Sequence, residues 1–134
     1  MKRYVADTHS ITWHLARDRR LSRRARKIFE SAEDGYVQVL IPSIVLVEAI
    51  FLMQRRRIPE AQVSKLFELS EDAEASICVV PLNMAVAQAV SDFGPVVIPD
   101  MPDRIIAATA RALDVPLITV DPIITDSDLV DVIW

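Results

Sequence analysis

The sequence predicts an α/β fold, with a mostly parallel sheet covered on both faces by helices. Three observations predict it. Short apolar runs alternate with helical stretches along the chain. Two of those runs end on an aspartate, Asp7 and Asp121, the position where open parallel sheets bind their ligands. The length, 134 residues, suits one domain with a single core, residues 1–134.

Residues 2–7 read as a short buried strand, and a helix is expected from about Ser10 to Ala16. Ser22 can cap a second helix reaching Glu33, and Asp34-Gly35 makes a turn. Tyr36 to Ile41 is rich in β-formers and reads as the second strand. Pro42-Ser43 opens an apolar helix, Ile44 to Met53, that ends in arginines. Ile58-Pro59 breaks the chain before a helix from about Pro59 to Ser70. Ile77 to Pro81 is the third strand, and Asn83 can cap a helix to about Phe93, which Gly94-Pro95 ends. Asp100 can cap the next helix, with Pro102 in its first turn, running to Leu113. Leu117 to Val120 is a strand, and the tail through Val130, Ile133 and Trp134 can add an edge strand.

Composition excludes several classes. The longest greasy stretch, Val37 to Met53, contains Gln38, Pro42, Ser43 and Glu48, so no membrane span is expected. Asp7 and His9 interrupt any signal-peptide core behind Lys2 and Arg3, and a cytoplasmic protein is expected. With two glycines, Gly35 and Gly94, a Gly-rich phosphate cradle is excluded. The single cysteine, Cys78, sits among apolar neighbours and reads as core. The net charge is −4, yet seven of the 15 basic residues fall between Arg17 and Lys27, and Arg55, Arg56 and Arg57 form a second cluster. Such patches are either solvated helix faces or contacts for a polyanion.

Four carboxylates ask for a reason. Asp7 ends the first strand, where an aspartate can also simply cap the next helix. Glu48 lies in a helix apolar all round, which is expected to be buried, so the carboxylate needs a partner: an arginine, a hydrogen-bond network or a metal. Asp103 lies in a helix first turn, which the helix dipole favours. Asp121 opens an Asp-Pro pair, also an ordinary turn signal. Together they fall at one end of one sheet, where they repel each other unless protonated or bound to cations. Oxygen ligands without a Cys or His cluster suit Mg²⁺ or Mn²⁺, and the chemistry such sites support is hydrolysis of phosphate esters.

The motifs "VADTHSITW", "IPSIVLVEAI", "IPDMPDRIIAATARAL" and "PLITVD" stand in this order along the chain. In that order and spacing they resemble the PIN-domain proteins of the VapC-like ribonuclease toxin kind. The resemblance implies a three-layer α/β/α fold around a parallel sheet of four to five strands. It implies that Asp7, Glu48, Asp103 and Asp121 are catalytic and form the metal site, holding one or two Mg²⁺ or Mn²⁺ ions. Thr8 and Thr119 fall where supporting hydroxyls stand, and Asp100 at a peripheral acidic position. It also implies an RNA substrate, a VapB-like antitoxin and a homodimer. Met101 stands where a proline is common, with Pro102 displaced by one position.

Two rival classes remain. A phosphatase working through an aspartyl-phosphate of Asp7 would want a second aspartate where His9 stands. A catalytically weak module that only binds a partner protein or RNA is the other. His9, His14 and Trp13 read as structural, and Arg104 as either near the site or turned away from it. Asp126, Asp128 and Asp131 read as a solvated loop from which Asp126 could extend the acidic site.

Overall fold

A computed structural model describes residues 1–95 and 97–134. The elements, in chain order, are β1 (Lys2–Ala6), α1 (Thr8–Ala16), α2 (Arg23–Glu33), β2 (Val37–Pro42), α3 (Ser43–Gln54) and α4 (Glu60–Phe67). They continue as β3 (Ile77–Val80), α5 (Met84–Val90), α6 (Met101–Leu113), β4 (Leu117–Ile118), α7 (Pro122–Ser127) and β5 (Val132–Ile133). The five strands form one sheet in the order β3-β2-β1-β4-β5. All four pairings are parallel, so each connection is a crossover carrying helices over the sheet.

Fully buried Val5, Val39, Leu40, Ile41, Leu117 and Ile118 from the strands meet Ile11, Phe29, Leu66 and Ile106 from the helices. Cys78 belongs to this core, as expected. None of the described helices is long and apolar enough to cross a membrane.

The chain order reverses at β1: the chain moves outward through β2 and β3, then returns to β4 on the other side. Val5 stands beside Leu117 and Ala6 beside Ile118, so β1 and β4 end level with each other. The segments after both strands, which begin at Asp7 and Thr119, therefore leave the sheet together. This is the crevice where doubly wound sheets bind ligands.

Three expectations need correction. The strand expected over Leu117 to Val120 is only Leu117–Ile118. The Asp-Pro pair does more than turn the chain: Asp121 caps an additional helix, α7, with Pro122 in its first turn. Asp126 lies in that helix and is exposed, so it belongs neither to a loop nor to the acidic site. The third concerns α3. Only Val45 and Ala49 of α3 are buried, while Val47 and Phe51 are 43% and 52% exposed. An all-apolar helix here is not an enclosed one.

Candidate functional site

Asp7 is fixed by the end of β1. Its Oδ1 accepts from the Ser10 backbone N–H (2.9 Å) and from the Ser10 hydroxyl (2.6 Å), which caps α1. Its Oδ2 accepts from the Thr119 hydroxyl. Thr119 Oγ1 in turn accepts from the Asp121 N–H at 3.0 Å. One side chain thus ties the segment after β1 to the segment after β4. Both readings of Asp7 meet here, because the cap is also the buried floor of an acidic pocket. Burial raises its carboxyl above the ordinary range, against the hydrogen bonds from Ser10 and Thr119.

The pocket, of about 300 Å³, is lined by Asp7, Thr8, His9, Glu48, Asp100, Asp103, Val120, Asp121 and Pro122. Larger concavities of about 790 and 950 Å³ lie elsewhere, between α5 and α6 and between α1, α2 and α4. Among the described residues, only Glu48, Asp100 and Asp103 bring three ligand atoms within 4.8 Å of one another.

Each member of that trio is delivered by a helix. α3 turns Glu48 inward, where Thr8 Oγ1 donates to its Oε1. Among the described residues no arginine pairs with it. Burial raises the Glu48 carboxyl, and the Asp100 and Asp7 charges add to this while Thr8 opposes it. Asp100 is the cap of α6 and accepts from the Asp103 N–H at 3.1 Å. Cap and N3 residue therefore share one helix end, and Asp100 is more central than its sequence position suggested. The Asp103 carboxyl is pushed up to about 8, first by burial and then by the Asp100, Asp121 and Glu48 charges. Asp121 faces this pocket with its Oδ1 engaged by the Ile123 N–H at 2.8 Å. Met101 and Pro102 occupy the first turn of α6 and leave the Asp100–Asp103 geometry intact.

The donor set fits a hard divalent cation. Three carboxylate ligand atoms lie within reach of one centre, and their mutual repulsion is what a cation would relieve.

Arg104 turns away from the pocket. Its Nε donates to the Ile98 carbonyl (3.0 Å) and its Nη2 to the Gly94 carbonyl (2.6 Å), holding the segment that leads to Asp100. Arg104→Ala removes both charged hydrogen bonds and is expected to cost about 2 kcal/mol, read as a lower urea midpoint with an unchanged slope.

His14 is structural: it stacks on Phe29 at 4.3 Å and meets Glu33 at 2.9 Å. Trp13 packs half-buried against the core. His9 is different, being exposed on the pocket rim. A lone histidine gave no metal signal, but its place two residues after Asp7 was a readable sign that it lies at the site. The basic residues of α2 and the Arg55–Arg57 turn are exposed and lie outside the pocket lining.

An all-parallel α/β domain with carboxylates converging at the sheet's switch point defines the class. The PIN domain family profile matches residues 4–128, and the chain belongs to that family. No curated protein sequence matches it. Among solved structures, the chain is similar to VapBC2 from Rickettsia felis bound to a DNA fragment from its promoter. That match has 15% identity and a TM-score of 0.69, covering 98% of this chain and 97% of the other. A toxin-antitoxin complex from Klebsiella pneumoniae matches with 16% identity, TM-score 0.59 and coverage of 98% and 96%. FitAcB from Neisseria gonorrhoeae matches with 19% identity, TM-score 0.58 and the same coverage.

Proposed function

We propose that this protein is a Mg²⁺- or Mn²⁺-dependent endoribonuclease, the toxin of a VapBC-like pair acting in the cytoplasm. The observation that carries the reading is the Glu48–Asp100–Asp103 cluster, with Asp103 pushed up to about 8 inside a pocket that also contains Asp7 and Asp121. PIN domains are typically nucleases, and one of the solved neighbours is a toxin-antitoxin complex from Klebsiella pneumoniae.

In this reading Glu48, Asp100 and Asp103 would hold one or two ions, and Asp7 and Asp121 line the same pocket. A bound ion supplies water activation and neutralises charge on the attacked phosphate. Thr8 keeps Glu48 turned inward, and Thr119 fixes Asp7 against the Asp121 segment. A site carboxylate would take the proton of the attacking water as its oxygen bonds to phosphorus; the P–O3′ bond breaks and the departing 3′-oxygen takes a proton from solvent, leaving 5′-phosphate and 3′-hydroxyl ends. The exposed arginines meet RNA phosphates or an acidic antitoxin segment, and the open apolar face of α3 meets a second copy.

The test is cleavage of a mixed RNA pool by purified protein with Mg²⁺, Mn²⁺ or EDTA. Metal-dependent cutting with 5′-phosphate ends supports the reading. Cyclic-phosphate ends would sink the mechanism. Absence of metal-dependent cutting would favour the weak or inactive binding module instead.

A further inference from the structure

The rim of the acidic pocket carries a built row of planar groups that the hydrolytic reading does not use. His9 and Trp13 are four residues apart on α1 and share one helix face, with ring centroids 5.5 Å apart and a 42° tilt. Trp13 is held edge-on by Trp134 at 5.8 Å. The Arg20 guanidinium lies over the Trp13 ring at 4.9 Å. Asp18 fixes that guanidinium with two bonds, Nε to Oδ1 at 3.0 Å and Nη2 to Oδ2 at 2.8 Å. Each group in the row is braced by the next. The row ends at His9, whose ring is exposed where the pocket opens.

The chemistry of this ledge differs from that of its neighbours. Asp18 offsets the charge of Arg20, so the ledge has aromatic faces and little net charge. The pocket beside it is strongly acidic and repels phosphate until a cation enters. His9 stands outside the three-carboxylate group. A flat, rigid and polarisable surface beside a hydrolytic centre suits a flat ligand that stacks.

We propose that His9, braced by Trp13 and the Arg20–Asp18 pair, is a stacking platform for one unpaired RNA base next to the phosphate being cut. The proposal rests on the ribonuclease reading and adds to it a residue that positions the strand through one unstacked base. Stacking is insensitive to base identity, so the ledge positions the strand without choosing the sequence.

The test uses short single-stranded RNAs carrying one 2-aminopurine, whose fluorescence falls on stacking, moved base by base past the cleavage point. Binding is measured in an Asp103→Asn background so that the strand stays whole. One position is expected to quench on binding. His9→Ala removes that quench and weakens binding about tenfold, and His9→Phe restores it to within about threefold, because the ring stacks without an imidazole nitrogen. Because His9 is exposed, both variants are expected to melt with their parent, which separates lost binding from lost folding. Unchanged affinity and quench in His9→Ala overturn the platform alone. A His9→Phe variant as weak as His9→Ala overturns stacking as its basis. Wild-type protein that cuts no RNA with any metal overturns the ribonuclease reading, and the platform with it.

Discussion

Asp103→Asn is expected to lose at least ~100-fold in RNA cleavage while gaining stability in the absence of metal. The loss follows from removing a ligand atom from the one three-carboxylate cluster found among the described residues. The gain follows from burial of the carboxylate and, after it, from repulsion by Asp100, Asp121 and Glu48. In the folded chain the Asp103 carboxyl is pushed up to about 8, against a reference value of 3.8 when unfolded. A raised carboxyl binds its proton more tightly in the native state. Its contribution to stability is therefore full below about pH 4 and is lost as pH rises towards 8. Asparagine removes that loss. The helix dipole favours a carboxylate at this first-turn position by a few tenths of a kcal/mol to about one, which opposes the gain. With solvent screening of a half-buried group, the net gain is expected to be about 1 kcal/mol, or a few degrees in Tm at pH 8. Thermal melts in EDTA at pH 5 and pH 8 read this directly. Mn²⁺ is expected to raise the wild-type Tm at pH 8 and to leave the variant nearly unmoved. A variant that melts below wild type at pH 8 in EDTA would show that the carboxylates do not strain one another as described.

Asp7→Ala is expected to damage the fold rather than the chemistry alone, by about 2–3 kcal/mol. The α1 cap is lost, worth about 1 kcal/mol. The buried Thr119 hydroxyl loses its acceptor, at a further cost of about 1 kcal/mol or more. Ser10 is partly spared, because its hydroxyl also reaches the Ile118 carbonyl at 3.0 Å. Asp7→Asn keeps an oxygen for the cap and should fold with a smaller loss, so cleavage measured in that variant isolates the role of the charge. Urea unfolding of the two variants should therefore rank alanine well below asparagine. Equal midpoints would mean that Asp7 does not tie the two segments together.

Much of this geometry was legible in the sequence because strand ends and helix caps are local signals. Asp7 and Asp121 followed apolar runs, and parallel pairing of β1 with β4 carried both to one crevice. Asp100 stands beside Asp103 for a physical reason. A cap and the residue three positions on point at the same helix end, so the spacing that marked Asp100 as a cap also placed it beside Asp103. The helix α7 was missed because Asp-Pro reads alike as a turn and as a cap with a first-turn proline, and six residues are too few to show periodicity. The exposure of α3 was illegible for another reason. Apolar side chains on all faces look the same whether a helix is enclosed by its own domain or left open on one side.

The position of the acidic pocket at the reversal of strand order bears on how the chain is made. Its carboxylates come from positions 7, 48, 100, 103 and 121, and the gap between Asp7 and Asp121 closes only when β4 docks beside β1. Contacts this distant in sequence form late, because long loops must be closed before the pairing stabilises anything. A growing chain lacking β4 has Asp7 without its Thr119 partner. The acidic pocket is therefore expected to come together late in folding.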